Sequence, residues 1–415
     1  MQVGSHTYPV HTDAQKPSFP PLPQSDSHSP FQSPTGTLVS LDGGTRQSGN
    51  CSLPVLMGRA VPAQLPAGGP PCGSGSSQAQ QSYQRAHHPE GHVPVPLCNI
   101  GNTCYMNSVV QCIMQSPWLS ARLEECQLNR ESHPASVALL EFRSTGKSGA
   151  EQLLRTFKAE AAKLNDEFKE YIQSDAHEFL RTFLHVVHSE INRVGRTQAP
   201  YVELKDIENE DEEASYRRWR MHFLRLDDSV VYDIFGGVLR SKCCCSHCKY
   251  SSLAFDPFLD LSLPLSPESQ KLLAVEQLLE GNFYDEKGEK LSGGNRLLCT
   301  RCKRPRDGTR IVTVVEWPKI LVLHLNRFDG RGEKNSAGVV YPEAFTTGGT
   351  RLVQYRLYGV LCHNGTAHWG HYTTYVLVKN KGWFLCSDSS ITPATAYDAL
   401  KAFQDAYILF YAAQS

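Results

Sequence analysis

The composition of this chain breaks near residue 94, and that break decides which part of it can fold. Residues 1–93 are rich in Pro, Ser, Gly, Gln and His, with few aliphatic residues and no hydrophobic periodicity. Such a segment cannot bury enough apolar surface to offset the entropy lost on ordering. It reads as a disordered tail, in which residues 18–23 (Ser-Phe-Pro-Pro-Leu-Pro) are a weak match to ligands of SH3-like grooves. Residues 94–413 read as mixed α and β. Helical spacing dominates to about residue 195, including residues 151–164 and 175–191. An acidic run, residues 208–213, precedes Tyr216-Arg-Arg-Trp-Arg220, a sign change expected to cap and solvate a helix. After residue 230 strands take over, at 314–315, 320–325, 352–362, 372–378 and 406–411. Helices first and strands later predict an α+β fold.

Bulk numbers remove several classes. A formal net charge of −1 gives no electrostatic case for nucleic acid or membrane binding. No apolar run of membrane-spanning length and no basic leader into an apolar core is visible, and Gln2 and the Ala412-Ala-Gln-Ser415 end fit no lipidation signal. The 14 cysteines of so large a chain read as reduced thiols of the cytosol or nucleus. A monomer is the default expectation.

The chemistry concentrates in two stretches. In Asn99-Ile-Gly-Asn-Thr-Cys-Tyr-Met-Asn-Ser108 a cysteine stands in a polar turn ahead of Met106, Val109, Val110, Ile113 and Met114, which recur at helical spacing until Pro117. A thiol attacks as thiolate, and a helix N-terminus is expected to lower its pKa. The partner base lies in Gly370-His371-Tyr372, before an alternating strand. A second strand over residues 383–387 ends in Ser387 with Asp388 next, so a hairpin would place one of them beside His371. Cysteine, then histidine, then an orienting polar group is the order that papain-like proteases use.

These boxes resemble the ubiquitin-specific proteases, a family of deubiquitinating cysteine proteases. The resemblance spans roughly residues 94–413. It also takes in Gln173-Ser-Asp-Ala-His-Glu-Phe-Leu180, Phe255-Asp-Pro-Phe-Leu-Asp-Leu-Ser-Leu-Pro264, Pro318-Lys-Ile-Leu-Val-Leu-His-Leu-Asn-Arg-Phe328 and Ala406-Tyr-Ile-Leu-Phe-Tyr411. It implies a papain-like fold with thumb, palm and zinc-binding fingers, the fingers falling at about 238–312. It further implies ubiquitin and ubiquitinated proteins as partners, Cys104 as nucleophile and His371 as general base. Asn99 matches the family's oxyanion amide, although an Asx-turn shaping the loop fits it as well. Asp175 and Glu178 match positions facing the arginines of ubiquitin's tail, although first-turn acids also stabilise a helix.

Cys245-Ser-His-Cys248 and Cys299-Thr-Arg-Cys302 are two Cys-x-x-Cys pairs. Four thiolates suit structural Zn²⁺, yet the stretch of about fifty residues between them exceeds that of compact modules. Spacing alone leaves the metal open; the resemblance implies it. Three departures from the family pattern stand out: Ser387 where Asn or Asp is usual, with Asp388 expected to assist it, Ser174 for Gln, and Asn326 for Lys. A weakly active or inactive ubiquitin-binding scaffold, or a protease for another ubiquitin-like modifier, are the rival expectations.

Overall fold

The computed structural model describes residues 93–414 apart from 146, 195–203, 205–206, 208–209, 266–271, 285–286, 330–332, 349–350 and 367–368. The Pro-rich tail expected at the N-terminus, with its residue 18–23 motif, lies outside the described residues. So does the start of the acidic run. Its described end behaves as expected: Asp211 accepts a hydrogen bond from the Ala214 N–H at 2.9 Å and caps helix Glu212–Phe223.

Helix Cys104–Met114 is the axis of the fold. Its apolar spacing predicts one buried stripe, but residues from Cys104 to Ile113 are buried on every face. The helix is sandwiched between a helical layer and the main sheet, so its polar side chains must find partners inside. Asn107 donates to the Cys98 carbonyl at 3.2 Å, and Gln111, one turn on, donates to the Val95 carbonyl at 2.7 Å. These bonds strap the preceding chain along the helix.

The helical layer is built on Lys147–Leu164 and Ala176–Glu190, which match the spacing read from the sequence. Asp175 caps the second through Oδ1, accepting from the N–H groups of His177 and Glu178 at 2.8 and 3.0 Å. Its apolar face carries Phe179 and Phe183. Phe179 meets Tyr105 of the central helix edge-on at 5.5 Å between ring centres.

On the other side lies an eight-stranded sheet. Its path runs Ser390–Ala394, Gly382–Ser387, Gly370–Val378, Gln354–Gly365, Ala406–Ala413, Ile320–Asn326 and Leu261–Pro264, with Ala344–Thr346 pairing beside Gln354–Gly365. Only Leu261–Pro264 pairs parallel. The central strands are covered on both faces, so burial runs unbroken along them instead of alternating, His324 included. A second sheet of four strands holds Ser251–Phe258, Gly237–Cys245, Gly308–Glu316 and Glu289–Leu291, with hairpin Leu297–Cys299/Arg304–Arg306 beyond it. Helical layer, main sheet and second sheet correspond to the thumb, palm and fingers of a papain-like α+β architecture.

Candidate active site

The turn ahead of Cys104 is built by two side chains: Thr103 Oγ1 accepts from the Ile100 N–H at 3.1 Å, and Asn99 does the rest. Asn99 Oδ1 accepts from the N–H groups of Gly101 and Thr103 at 3.1 and 3.0 Å, an Asx-type turn. Gly101 adopts φ of +122°, and a Cβ there would stand 2.5 Å from the Tyr171 ring. Only glycine therefore closes the turn. Asn102 Nδ2 donates to the Tyr171 carbonyl at 2.8 Å, tying the turn to the neighbouring loop.

Cys104 opens the helix as expected and is 2% exposed. Its thiol pKa, however, is raised rather than lowered. Burial is the largest cause, and the Asp388 charge adds to it. The main-chain N–H groups of Tyr372, Tyr105 and Cys104 itself pull the other way without prevailing. The sequence expectation weighed the helix terminus but not the desolvation of a residue so deeply placed.

The hairpin brings His371 to Ser387 as one of its two expected partners: His371 Nε2 lies 2.8 Å from Ser387 Oγ. Among the described residues the other ring nitrogen, Nδ1, makes no hydrogen bond. Among the described residues no hydrogen bond joins His371 to the Cys104 sulfur. Asp388 turns elsewhere, with φ of +49°. Its Oδ1 accepts from Asn107 Nδ2 at 2.7 Å and its Oδ2 from Asn99 Nδ2 at 3.1 Å, while its carbonyl accepts from the Leu97 N–H at 3.1 Å. The carboxylate thus serves the nucleophile's turn, not the imidazole.

Asp175 also has its acceptors occupied. Besides capping the helix, it accepts through Oδ2 from Tyr407 and Tyr372 hydroxyls at 2.5 and 3.4 Å. Glu178 is half-buried and contacts Asn165 Nδ2 at 3.5 Å. An acid not singled out in the sequence completes the group: burial, with Glu178 and Asp175 nearby, raises the Glu167 pKa. Gln173 is a second omission, as it bonds the backbone of Gly370. It stands in the quoted Gln-Ser-Asp-Ala-His-Glu box, but position alone assigns it no task.

At the fingers tip, Cys245, Cys248, Cys299 and Cys302 bring their sulfurs within 4.8 Å of one another. The two knuckles are repeats. Each ends in a lysine with positive φ, Lys249 at 58° and Lys303 at 54°, whose N–H returns to the carbonyl of the knuckle's first cysteine. Main-chain N–H groups of Cys248 and His247 draw the Cys245 thiol down to about 7, and those of Cys302 and Arg301 lower Cys299. Four convergent sulfurs form a donor set suited to chelating a metal ion.

A buried thiol at a helix start, a histidine bonded to a serine of the next strand and an amide-built turn are the kinds of group from which a papain-like thiol centre is built. Residues 95–411 match the family model described as ubiquitin carboxyl-terminal hydrolase, and the chain belongs to that family. Among its relatives, ubiquitin carboxyl-terminal hydrolase 2 of Rattus norvegicus is 34% identical over 335 residues, covering 76% of this chain and 53% of the relative. Ubiquitin carboxyl-terminal hydrolase 21 of Homo sapiens is 31% identical over 366 residues, covering 79% and 63%. The chain thus spans little more than half the length of the first of these. The fold is also similar to that of one chain in the structure of the SAGA Ubp8/Sgf11/Sus1/Sgf73 DUB module bound to ubiquitin aldehyde, with a TM-score of 0.58 at 22% identity over 81% of this chain and 73% of that one.

Proposed function

We propose that the protein is a thiol-type deubiquitinase that hydrolyses the bond after the C-terminal glycine of ubiquitin. The observation that supports this reading is that the residues flanking the histidine–serine pair reach the Cys104 turn: the Tyr372 N–H acts on the Cys104 sulfur, and Asp388, next to Ser387, accepts from Asn99. Cys104 attacks the scissile carbonyl; His371 takes the thiol proton and returns it to the leaving amine, and water then releases the acyl group from sulfur. Ser387 holds the imidazole through Nε2, which leaves Nδ1 to face sulfur. With Oδ1 committed to the turn and one amide hydrogen to Asp388, Asn99 has a second amide hydrogen for the oxyanion. Such a donor is typically worth about 2.7–4 kcal/mol. Asp388 assists by aiming that amide.

Burial raises the Cys104 pKa above its ordinary value, so the thiol needs a base to take its proton, the part proposed for His371. Glu178 and Glu167 supply negative charge for a tail that carries arginines. Asp175 supports that wall while capping the helix. Cys245, Cys248, Cys299 and Cys302 would hold structural Zn²⁺, whose closed four-sulfur shell fixes the fingers tip and takes no part in the reaction.

The test is release of a fluorophore from the C-terminus of ubiquitin, with Cys104→Ser as control. Turnover that disappears in the control supports the reading. Absence of turnover from folded protein that still binds ubiquitin would sink it and leave the scaffold alternative.

A further inference from the structure

We infer that Gln173 is a positioning residue for His371, acting through the main chain of Gly370. The inference rests on the thiol-protease reading above, but its geometry stands independently. His371 is one residue inside the end of strand Gly370–Val378, at the tip of its hairpin with Gln354–Gly365. The strand on its other side pairs only from Thr374, opposite Cys386. Residues 370–373 therefore have a ladder on one flank alone, and strand ends so placed open at low cost.

Gln173 supplies the missing flank. Its Oε1 accepts from the Gly370 N–H at 3.0 Å, and its Nε2 donates to the Gly370 carbonyl. One primary amide thus satisfies both main-chain groups, as a paired strand would. Two residues later Asp175 accepts from the Tyr372 hydroxyl. Segment 173–175 consequently grips the residues on either side of His371. The opposite face of Gly370 is closed as well: a Cβ there would lie 2.1 Å from His363 Nε2 and 2.7 Å from the Asn364 carbonyl. The peptide is held between an amide and an imidazole ring. Its placement also sets the Tyr372 N–H, which acts on the Cys104 sulfur. Glutamate would keep the length but lose the donor to the carbonyl, and alanine would lose both bonds.

The experiment compares wild type, Gln173→Ala and Gln173→Glu in the full chain. Four quantities are read: kcat and KM on the ubiquitin–fluorophore substrate, the ubiquitin Kd in a Cys104→Ala background, the melting temperature, and the pH profile of Cys104 alkylation by iodoacetamide, followed on the Cys104 peptide by mass spectrometry. Both variants should lose about tenfold or more in kcat, a typical share for a misplaced general base. The alkylation profile should move to higher pH, with Kd unchanged. Gln173→Glu, equal in size, keeps loss of folding apart from loss of positioning. A loss confined to KM and Kd would overturn the inference and make Gln173 a substrate contact. So would an unmoved alkylation profile with kcat intact. If wild type leaves ubiquitin derivatives uncleaved while the profile still moves in both variants, the deubiquitinase reading fails and the positioning role stands.

Discussion

Ser387 and Asp388 are adjacent in sequence and face different tasks, because a positive φ at Asp388 turns its carboxylate away from the imidazole and toward two asparagine amides. The two residues should therefore be separable. Ser387→Ala removes the only side-chain hydrogen-bond partner of His371 among the described residues and is expected to lower kcat by about ten- to a hundredfold with little change in ubiquitin Kd. Asp388→Asn removes a negative charge that raises the Cys104 pKa, so Cys104 alkylation should shift to lower pH in that variant. If both substitutions move the alkylation profile alike, the division of labour is wrong. Cys104 and His371 were legible in the sequence because each sits in a dense local motif. Which of the two C-terminal neighbours meets the imidazole was not, since that depends on one backbone dihedral at the end of a strand.

The central helix shows how an element's setting overrides its local pattern. Spacing predicts an amphipathic helix, whereas the structure encloses it between two layers, and Asn107 and Gln111 become internal fasteners to the chain before Cys104. That same enclosure reverses the expected pKa shift of the thiol. The fingers are another matter. Their sheet carries two four-residue knuckles at its tip, the second being the turn of a hairpin of two short strands. If zinc is bound, its removal withdraws on the order of 10 kcal/mol of binding free energy from that subregion. A strong chelator, or Cys299→Ser, should raise hydrogen exchange in residues 238–312 while the central helix keeps its protection. Uniform protection across the fingers after metal removal would show that the knuckles stand without metal.

Across the whole molecule, buried histidines bear on stability. His363 is packed behind Gly370, where burial and the charge of Lys334 push its pKa down to about 4. His324 is also depressed, by burial and by His177 stacked 3.8 Å away. A group with depressed folded pKa stabilises fully above its unfolded value, near 6.5, and loses that contribution as pH falls toward the folded value. His177, raised by Asp260 against its own burial, has the opposite sign and weakens only toward alkaline pH. Asp260, held at about 2, loses its share below about pH 4. Denaturant midpoints should accordingly decline from about pH 6.5 to 4. His363 accounts for at most about 3 kcal/mol of this, less whatever solvent screening relieves. His363→Gln should flatten the decline, and an unchanged slope would place the acid sensitivity elsewhere.

What the sequence determined by itself is chemistry that lies close along the chain: the turn and helix around Cys104, the Gly-His-Tyr strand start, both knuckles and the order of helices before strands. Each rests on short-range periodicity, turn stereochemistry or fixed ligand spacing. The tertiary structure decided what depends on segments far apart in sequence. It set Ser387 rather than Asp388 on His371, bound Asp388 to Asn99 across 289 positions, filled the acceptors of Asp175 with two tyrosines and placed Gln173 on Gly370. Hydrogen-bond direction and burial arise only when layers close on one another, and no local pattern carries that information.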